Sequence, residues 1–213
     1  MSLTPEPCRF DGDRAPGAPR VWALQLAGGT PGESPEAARQ RARAQARAAL
    51  RTLLADAFDL PPQAITLDDH RGAAVRAQLA AGTPPQQGWD ALGLSISHEN
   101  GISLIALRTA GPVGVDIAAL PKEWLAEGDA ALRRQAALYL GPTHPAVQPG
   151  ADGARFVRGW AELEAKLKCI GQPLSEWVPA LAAHMAELNA GCLRLPIWAG
   201  DPRFLAAVAA WCS

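Results

Sequence analysis

A long helix with proline near both ends constrains the fold of this chain most. Ser34 followed by Pro35 is a typical helix start, because serine caps the first turn and proline is tolerated at the first helical position. The stretch that follows is rich in Ala, Arg, Gln and Leu, which favour helix, until Leu60-Pro61-Pro62 stops it. The sequence therefore predicts a helix over Pro35–Phe58. The residues expected to face the core are Leu50, Leu53, Leu54, Ala57 and Phe58.

Short apolar runs on both sides of this helix predict strands, and the turn residues between them predict antiparallel pairs. The strands are expected at Val21–Leu26, Leu92–His98, Ile102–Leu107, Val113–Ile117, Cys192–Trp198 and Phe204–Trp211. Further helices are expected at Lys122–Leu138, Phe156–Ile170 and Leu174–Ala190. The similar order of elements in each half predicts an α+β fold of two related lobes, residues 1–111 and 112–213, that form one compact unit.

The composition excludes several classes of function. The 213 residues include 20 Lys+Arg and 21 Asp+Glu, so there is no bulk charge to recruit nucleic acid or a membrane surface. No apolar stretch has the length of a membrane span, and Met1–Arg14 lacks the apolar core of a secretion signal, so we expect a cytoplasmic protein. The cysteines form no Cys-x-x-Cys pair, which argues against a zinc site or a disulfide framework. They are Cys8, Cys169, Cys192 and Cys212.

Two short segments carry the residue types of a magnesium-dependent site. Asp116 lies at the end of an apolar run, and Glu164 and Lys168 lie four residues apart on a predicted helix. A pair of acids suits a hard cation, and a lysine with His98 would suit a phosphate ester bound to it. Each residue also has an ordinary interpretation. Asp116 could be a surface acid or a helix cap. Glu164 and Lys168 could form an ordinary i,i+4 ion pair on a helix surface. His98 could be a hydrogen-bonded residue at the end of a strand.

The predicted first helix carries a stripe of arginines at i,i+4 spacing. These are Arg39, Arg43, Arg47 and Arg51. Like charges at this spacing reduce the stability of a helix by a few tenths of a kcal/mol per pair. Because an anionic partner would offset this repulsion, the stripe suggests that one binds there. The alternative is a solvated helix face in a chain rich in Ala and Arg.

Three motifs together resemble those of a known enzyme family. Ser97-His98, Gly114-Val115-Asp116 and Trp160-x-x-x-Glu164-Ala165-x-x-Lys168, in this order and spacing, resemble the phosphopantetheinyl transferases of the larger, surfactin-synthetase type. The resemblance covers the chain from about Arg39 to its end. It implies a monomeric pseudo-dimer of two similar lobes, each a small, mainly antiparallel sheet packed on a long helix. It also implies transfer of 4′-phosphopantetheine from coenzyme A to a serine of an acyl or peptidyl carrier protein, with release of adenosine 3′,5′-bisphosphate.

The resemblance also implies a role for each matching residue. Asp116 and Glu164 would hold Mg²⁺ against the pyrophosphate, and Glu164 would also help to deprotonate the acceptor serine. Lys168 would neutralise charge on the phosphates, while His98 and Ser97 would contact the coenzyme A pyrophosphate region. The cations expected to meet its 3′-phosphate are Arg39, Arg43 and Arg47.

Three positions depart from the pattern of the family. Members of the family usually have an acid at the position of Ala118. They usually have a lysine at the position of Leu163, directly before the helix glutamate. Upstream, Gly72-Ala73-Ala74 replaces the Gly-Lys-Pro of the family. Arg71 or Arg76 are candidates to replace that lysine. The departures leave open a family member that binds coenzyme A or a carrier protein without transfer.

A nucleic-acid-binding module that uses the arginine stripe is a further alternative. The net charge of −1 and the single tyrosine disfavour it, because such modules combine a basic surface with stacking aromatic residues.

Overall fold

The computed structural model describes residues 4–11, 17–26, 32–68, 74–99, 101–120, 129–196 and 205–212. This part of the chain has a mixed α+β architecture with antiparallel sheets. The strands are β1 (Glu6–Pro7), β2 (Arg9–Phe10), β3 (Arg20–Gln25), β4 (Ile65–Leu67), β5 (Ala77–Leu79), β6 (Gly93–Glu99), β7 (Ile102–Arg108), β8 (Val113–Ala119), β9 (Asn189–Arg194) and β10 (Leu205–Trp211). The α-helices are α1 (Pro35–Phe58), α2 (Asp129–Tyr139), α3 (Gly153–Cys169) and α4 (Pro179–Ala186). Short 3₁₀ turns span Pro62–Ala64 and Pro145–Val147.

Helix α1 has the bounds that its sequence predicts. The Ser34 hydroxyl accepts a hydrogen bond from the Ala37 amide at 3.2 Å, which caps the first turn. The helix ends at Asp59, a non-glycine residue in the left-handed region (φ 52°). Leu50 and Leu54 are buried as expected, whereas Ala57 is exposed, so its assignment to the core was wrong.

Two four-stranded antiparallel sheets form the centre of the molecule. The first has the order β1-β3-β7-β6 and the second β2-β9-β10-β8. The N-terminal segment contributes to both, because β1 pairs with β3 and β2 pairs with β9. Strands β4 and β5 form a separate two-stranded ribbon.

The sheets and helices make four layers. One core lies between the sheets, a second between the first sheet and α1, and a third between the second sheet and α3. Strand β7 shows the consequence, since its side chains alternate between two buried faces. Leu104 and Ala106 face the second sheet, and Ile105 and Leu107 face α1. A strand covered on both faces is expected to be apolar throughout, as Ile102–Leu107 nearly is.

Strand β8 lies unusually close to α3. A Cβ atom on Gly114 would overlap the carbonyl oxygen of Ala165 and lie 2.6 Å from the amide nitrogen of Cys169. Glycine at this position therefore lets the backbones of the strand and the helix approach each other. Because side chains alternate along a strand, Asp116 lies on the same face of β8 as Gly114 and points toward α3.

Serine side chains join the two sheets at their edges. Strands β6 and β8 are the last strands of their sheets and lie beside each other. The Ser95 hydroxyl accepts a hydrogen bond from the Val115 amide at 3.1 Å, and the Ser97 hydroxyl accepts one from the Ile117 amide at 3.4 Å. The two serines thus provide hydrogen-bond acceptors for backbone N–H groups at the edge of β8, which a neighbouring strand would otherwise provide.

The predicted helix Leu174–Ala190 was too long at both ends. Residues 172–178 have no regular structure, α4 spans only Pro179–Ala186, and β9 already begins at Asn189. Proline disfavours helix in the residue before it, so Pro179 sets the start of α4. The preceding segment is held instead by a bond from the Trp177 amide to the carbonyl of Leu138 at 2.8 Å.

The predicted strand Cys192–Trp198 was also misplaced, because β9 spans Asn189–Arg194 and residues 197–198 lie outside the described ranges. The remaining predicted elements differ less from the structure. Helix α3 begins at Gly153, three residues before the predicted start, because the Asp152 carboxylate caps it by accepting from the Arg155 amide at 2.9 Å. Only the part of Lys122–Leu138 that begins at Asp129 is described, and it is helical. Within the described ranges, no helix combines the length and the apolar character that crossing a bilayer requires.

Candidate functional site

A cleft of about 580 Å³ lies where β6, β8, α1 and α3 meet. All but one of the sequence-predicted site residues line it. They are Ser97 and His98 of β6, Asp116 of β8, Glu164 and Lys168 of α3, and Arg39 and Arg43 of α1. The exception is Arg47, which is not a lining residue. Residues from both sheets and both long helices therefore converge on one cavity, although they are distant in the sequence.

Asp116 is the buried centre of the polar network in this cleft. Only 4% of its surface is exposed. Its Oδ1 atom accepts a hydrogen bond from the Ser97 hydroxyl at 2.7 Å and lies 2.6 Å from Lys168 Nζ. Both contacts use the same oxygen, so among the described residues Oδ2 is left for another ligand.

Lys168 connects the two strand edges. Besides Asp116, its ammonium group donates to the Ser97 hydroxyl at 3.1 Å and to the carbonyl oxygen of Val115 at 3.3 Å. An ammonium group has three hydrogens, and the protein provides three acceptors for them. The ion pair of Lys168 is with Asp116. Among the described residues, the i,i+4 pair with Glu164 does not form.

The two carboxylates of the cleft repel each other. Burial raises the pKa of Asp116 above its ordinary value, and the negative charge of Glu164 raises it further, while Lys168 and the Ser97 hydroxyl oppose the shift. Both carboxylates line the same cleft. A cation placed between these acids would relieve both the repulsion and the cost of burial.

Glu164 is held from one side by an indole. Trp160, one turn earlier on α3, donates its Nε1 hydrogen to Glu164 Oε1 at 2.8 Å. Within the described part of the chain, this leaves Oε2 as the atom of Glu164 that is available to the cleft.

The donor set fits a magnesium ion. Mg²⁺ prefers oxygen ligands, and proteins often bind it through one or two carboxylates while water and substrate phosphates complete its shell. Asp116 and Glu164 each keep one oxygen for such a role. The described residues contain no cluster of three or more His, Cys, Asp or Glu side chains that could hold a metal ion. A metal held by two carboxylates would need water or a phosphate ligand to complete its shell.

His98 has a neutral imidazole in a cationic environment. Its Nδ1 atom lies 2.6 Å from the Ser103 hydroxyl. Burial lowers the pKa of His98 to about 4, with further lowering by the charges of Arg43, Lys168 and Arg47. Three cations thus act on the space around this ring, which makes it favourable for an anion.

The arginine stripe of α1 extends along one side of the cleft. Arg39, at the entrance, also forms an exposed ion pair with Glu36 at 3.4 Å. Arg43 lines the cavity, and Arg47 is close enough for its charge to lower the pKa of His98. Arg51 lies beyond them, and its buried Nε atom has no hydrogen-bond partner among the described residues. The stripe is therefore directed partly toward β6 and is not simply a solvated face.

The departures from the family pattern occupy different environments. Ala118 lines the cleft, so the missing acid leaves apolar surface beside Asp116. Leu163 is buried against Leu167 and Met185, on a face of α3 that does not line the cleft. Arg76 is exposed and is not a lining residue. Residues 71–73 lie outside the described ranges.

The structure adds residues to which the sequence gave no role. Phe156, Val157 and Trp160 form an apolar wall of the cleft. The position of Trp160 four residues before Glu164 is the sequence signal that indicates their contact. The roles of Ser95 and Ser97 had no such signal, because their partners lie on another sheet.

No protein-family model matches the chain, and no curated protein matches its sequence.

Proposed function

We propose that this protein transfers 4′-phosphopantetheine from coenzyme A to a serine of an acyl or peptidyl carrier protein, in a reaction that requires Mg²⁺. The observation that carries this proposal is the cleft that Asp116 and Glu164 both line, with Lys168 paired to Asp116. Paired carboxylates with fixed cations match the needs of attack at phosphorus, which depends on charge neutralisation and alignment more than on covalent catalysis.

The pseudo-dimeric arrangement of the family belongs to the same proposal. Each four-stranded sheet is covered on its outer face by a long helix, the first by α1 and the second by α3. The sheets meet at β6 and β8, and the cleft lies at this junction. In a pseudo-dimer of similar lobes, one chain would supply both sides of the site, which supports a monomer as the active form.

The reaction would form one bond and break another at the same phosphorus. The serine oxygen of the carrier attacks the phosphorus attached to pantetheine. The bond from that phosphorus to the bridging oxygen breaks, and adenosine 3′,5′-bisphosphate leaves with the electron pair. The chemistry that Mg²⁺ supplies when held by Asp116 and Glu164 is neutralisation of the charge on the pyrophosphate. Glu164 would help to remove the serine proton, directly or through one water molecule.

Lys168 would act mainly through its charge. Its three hydrogens are directed to Asp116, Ser97 and Val115, so it keeps the Asp116 carboxylate oriented and ionised. The positive charge still lies at the wall of the cleft and stabilises negative charge that develops on the phosphates.

The α1 side of the cleft would bind the nucleotide end of coenzyme A. Arg39 and Arg43 line this side together with His98, and Arg47 contributes its charge. Arginine suits phosphate groups because its planar fork donates two parallel hydrogen bonds.

Intact-mass spectrometry of a panel of apo carrier proteins tests the proposal directly. Each carrier is incubated with the protein, coenzyme A and Mg²⁺. We expect a gain of one phosphopantetheine on at least one carrier and no gain when Mg²⁺ is chelated. A carrier whose active serine is replaced by alanine is the matched control. No gain on any carrier would contradict the proposed transfer.

Ala118 supports a second candidate function, in which the protein binds coenzyme A or a carrier without transfer. This residue replaces an acid expected from the resemblance, and it lines the cleft beside Asp116. Calorimetry separates the two functions. Coenzyme A binding without modification of any carrier would favour the second, whereas transfer would exclude it.

A further inference from the structure

Trp160 links the proposed metal ligand Glu164 to a cluster of aromatic rings. Its indole nitrogen donates to Glu164 Oε1 at 2.8 Å. The Tyr139 ring meets the indole edge-on, with centroids 5.3 Å apart and an interplanar angle of 69°. The Phe156 ring stacks on it at 5.7 Å and 28°. The indole is therefore enclosed by two rings while its single N–H group points at a carboxylate.

This arrangement restricts the freedom of the Glu164 side chain. A glutamate on a helix surface samples several rotamers, and fixing it on binding a ligand costs conformational entropy. Here the hydrogen bond to Trp160 holds one oxygen, and the aromatic contacts hold Trp160. Glu164 is thus set in one orientation before any ligand arrives.

We infer that Trp160 is a positioning residue, which holds Oε1 of Glu164 so that Oε2 is presented to a divalent cation. The inference rests on the proposed function, because it concerns the metal site proposed there. It assigns to the tryptophan a role beyond packing, since a phenylalanine could fill much of the same space without donating a hydrogen bond.

The variant Trp160→Phe separates the hydrogen bond from the packing. It keeps an aromatic ring between Tyr139 and Phe156 but removes the N–H group. Trp89→Phe is the matched control, because Trp89 is also half-buried and also contacts a phenylalanine edge-on, with centroids 5.0 Å from Phe58. Trp89 packs in the core between α1 and the first sheet and does not line the cleft.

Mn²⁺ binding to the full chain, followed by electron paramagnetic resonance with and without coenzyme A, is the test. Mn²⁺ replaces Mg²⁺ as a spectroscopic probe that does not require turnover. We expect Trp160→Phe to raise the Kd for Mn²⁺ roughly tenfold, the lower end of the effect of removing an outer-shell hydrogen bond. Trp89→Phe should bind Mn²⁺ like the parent, and its affinity for coenzyme A without metal should not change.

The possible results are distinct. Equal Kd values for the parent and Trp160→Phe would overturn the inference. A parent that binds no Mn²⁺, even with coenzyme A, would overturn both the inference and the proposed metal site. Weaker binding by Trp160→Phe would support the inference even if no carrier protein were modified. If Trp160→Phe failed to fold, Tyr139→Leu would take its place. That variant removes one side of the enclosure, and it too should weaken Mn²⁺ binding, whereas unchanged binding would count against the inference.

Discussion

His98 has a neutral ring beside three cations, and its protonation therefore opposes folding. In the folded chain burial and the charges of Arg43, Lys168 and Arg47 lower its pKa to about 4, from an ordinary value of 6.5. Between these two pH values the unfolded chain binds a proton that the folded chain does not. The free energy of unfolding should therefore fall as the pH drops through this window, by less than the full shift implies, because part of the His98 side chain is exposed and solvent screens the charges around it.

Urea unfolding of the parent and of His98→Gln, at pH 7 and near pH 4.5, measures this contribution. Glutamine can still hydrogen-bond to Ser103 but does not titrate, so the variant should lose less stability on acidification. His184→Gln is the control, because His184 belongs to α4 and does not line the cleft. An identical pH dependence in the parent and in His98→Gln would contradict the expected shift.

Asp116 and Glu164 are expected to be essential for transfer but not for the fold. Asp116→Asn and Glu164→Gln keep the shape of each side chain and its accepting oxygen, and remove the charge that a divalent cation needs. We expect carrier modification to fall to the background rate in both variants, while circular dichroism stays like that of the parent. Replacing these residues by alanine should abolish transfer as well.

Glu162→Gln provides a matched control on the same helix. Glu162 pairs with Lys166 at 2.7 Å on the flank of α3 that does not line the cleft. The Glu162→Gln variant should transfer phosphopantetheine at the same rate as the parent. Near-normal transfer by Asp116→Asn or Glu164→Gln would contradict the proposed metal ligands.

The residues that the sequence selected line the cleft, apart from Arg47. The sequence did not indicate which of them form hydrogen bonds and ion pairs with each other. Asp116, Glu164 and Lys168 were selected because their motifs resemble those of a family. Local spacing favoured a pair between Glu164 and Lys168, but the lysine instead reaches Asp116, 52 positions away in the sequence. Such a contact depends on how β8 packs on α3, and helix periodicity alone contains no information about it.

At the level of elements, the arginine stripe of α1 should divide into members that bind ligand and members that do not. Arg43 lines the cleft and Arg51 does not, although both belong to the same i,i+4 ladder. We therefore expect Arg43→Gln to raise the KM for coenzyme A, because a phosphate contact is lost. Arg51→Gln is the matched control and should leave this KM unchanged.

The 3′-phosphate assignment has its own test. Dephospho-coenzyme A lacks this phosphate, so the parent should use it less well than coenzyme A, and Arg43→Gln should reduce the difference. Equal use of the two substrates by the parent would show that the stripe does not bind the 3′-phosphate.

The close approach of β8 and α3 predicts a strong effect of a single methyl group. In Gly114→Ala the new Cβ would overlap the Ala165 carbonyl, so the strand and the helix must separate. Overpacking of this kind typically lowers the free energy of unfolding by about 1–3 kcal/mol. We expect a decrease near the upper end of this range, because the new methyl group meets backbone atoms and not a flexible side chain. Chemical denaturation measures it.

Gly101→Ala is the comparison for this prediction. Gly101 has φ +77° and no atom within 4 Å of an added Cβ, so it carries only the cost of a left-handed conformation, about 1 kcal/mol. If Gly114→Ala lowered the free energy of unfolding less than Gly101→Ala did, the proposed role of close packing between β8 and α3 would be contradicted.

Elements with local start and stop signals were predicted well, and those without them were not. Helix α1 is bounded by Ser34-Pro35 and by Leu60-Pro61-Pro62, and its observed limits agree with those signals. The segment before Pro179 has apolar residues at helical spacing but is held by the Trp177 bond to Leu138. A tertiary contact there overrides a weak local preference.

At the scale of the whole molecule, the layers depend on pairings that the sequence does not reveal. The periodicity of the strands predicts sheets and buried faces, and the α+β class follows from it. It does not predict that β2 joins the second sheet, or that serines of β6 satisfy amides of β8. These contacts place the edge of one sheet beside the edge of the other, and the cleft exists only because they do.

The shared core between the sheets predicts a single cooperative unfolding transition. Leu104 of the first sheet is fully buried in this core, where it packs with residues of the second sheet such as Val115 and Ala209. Leu104→Ala should lower the free energy of unfolding by about 3 kcal/mol, as removal of buried methylene groups and the resulting cavity imply. Because the core belongs to both sheets, tryptophan fluorescence and far-UV circular dichroism should report the same shifted midpoint.

Leu138→Ala is the control for this last prediction, because Leu138 is 40% exposed and the same truncation there should change stability little. Two separate transitions in the parent, or a shift in Leu104→Ala that only one probe detects, would mean that the sheets unfold independently. In that case the layers would act as separate units, and the cleft between them would open without global unfolding. Coincident transitions would instead show that the two sheets unfold together.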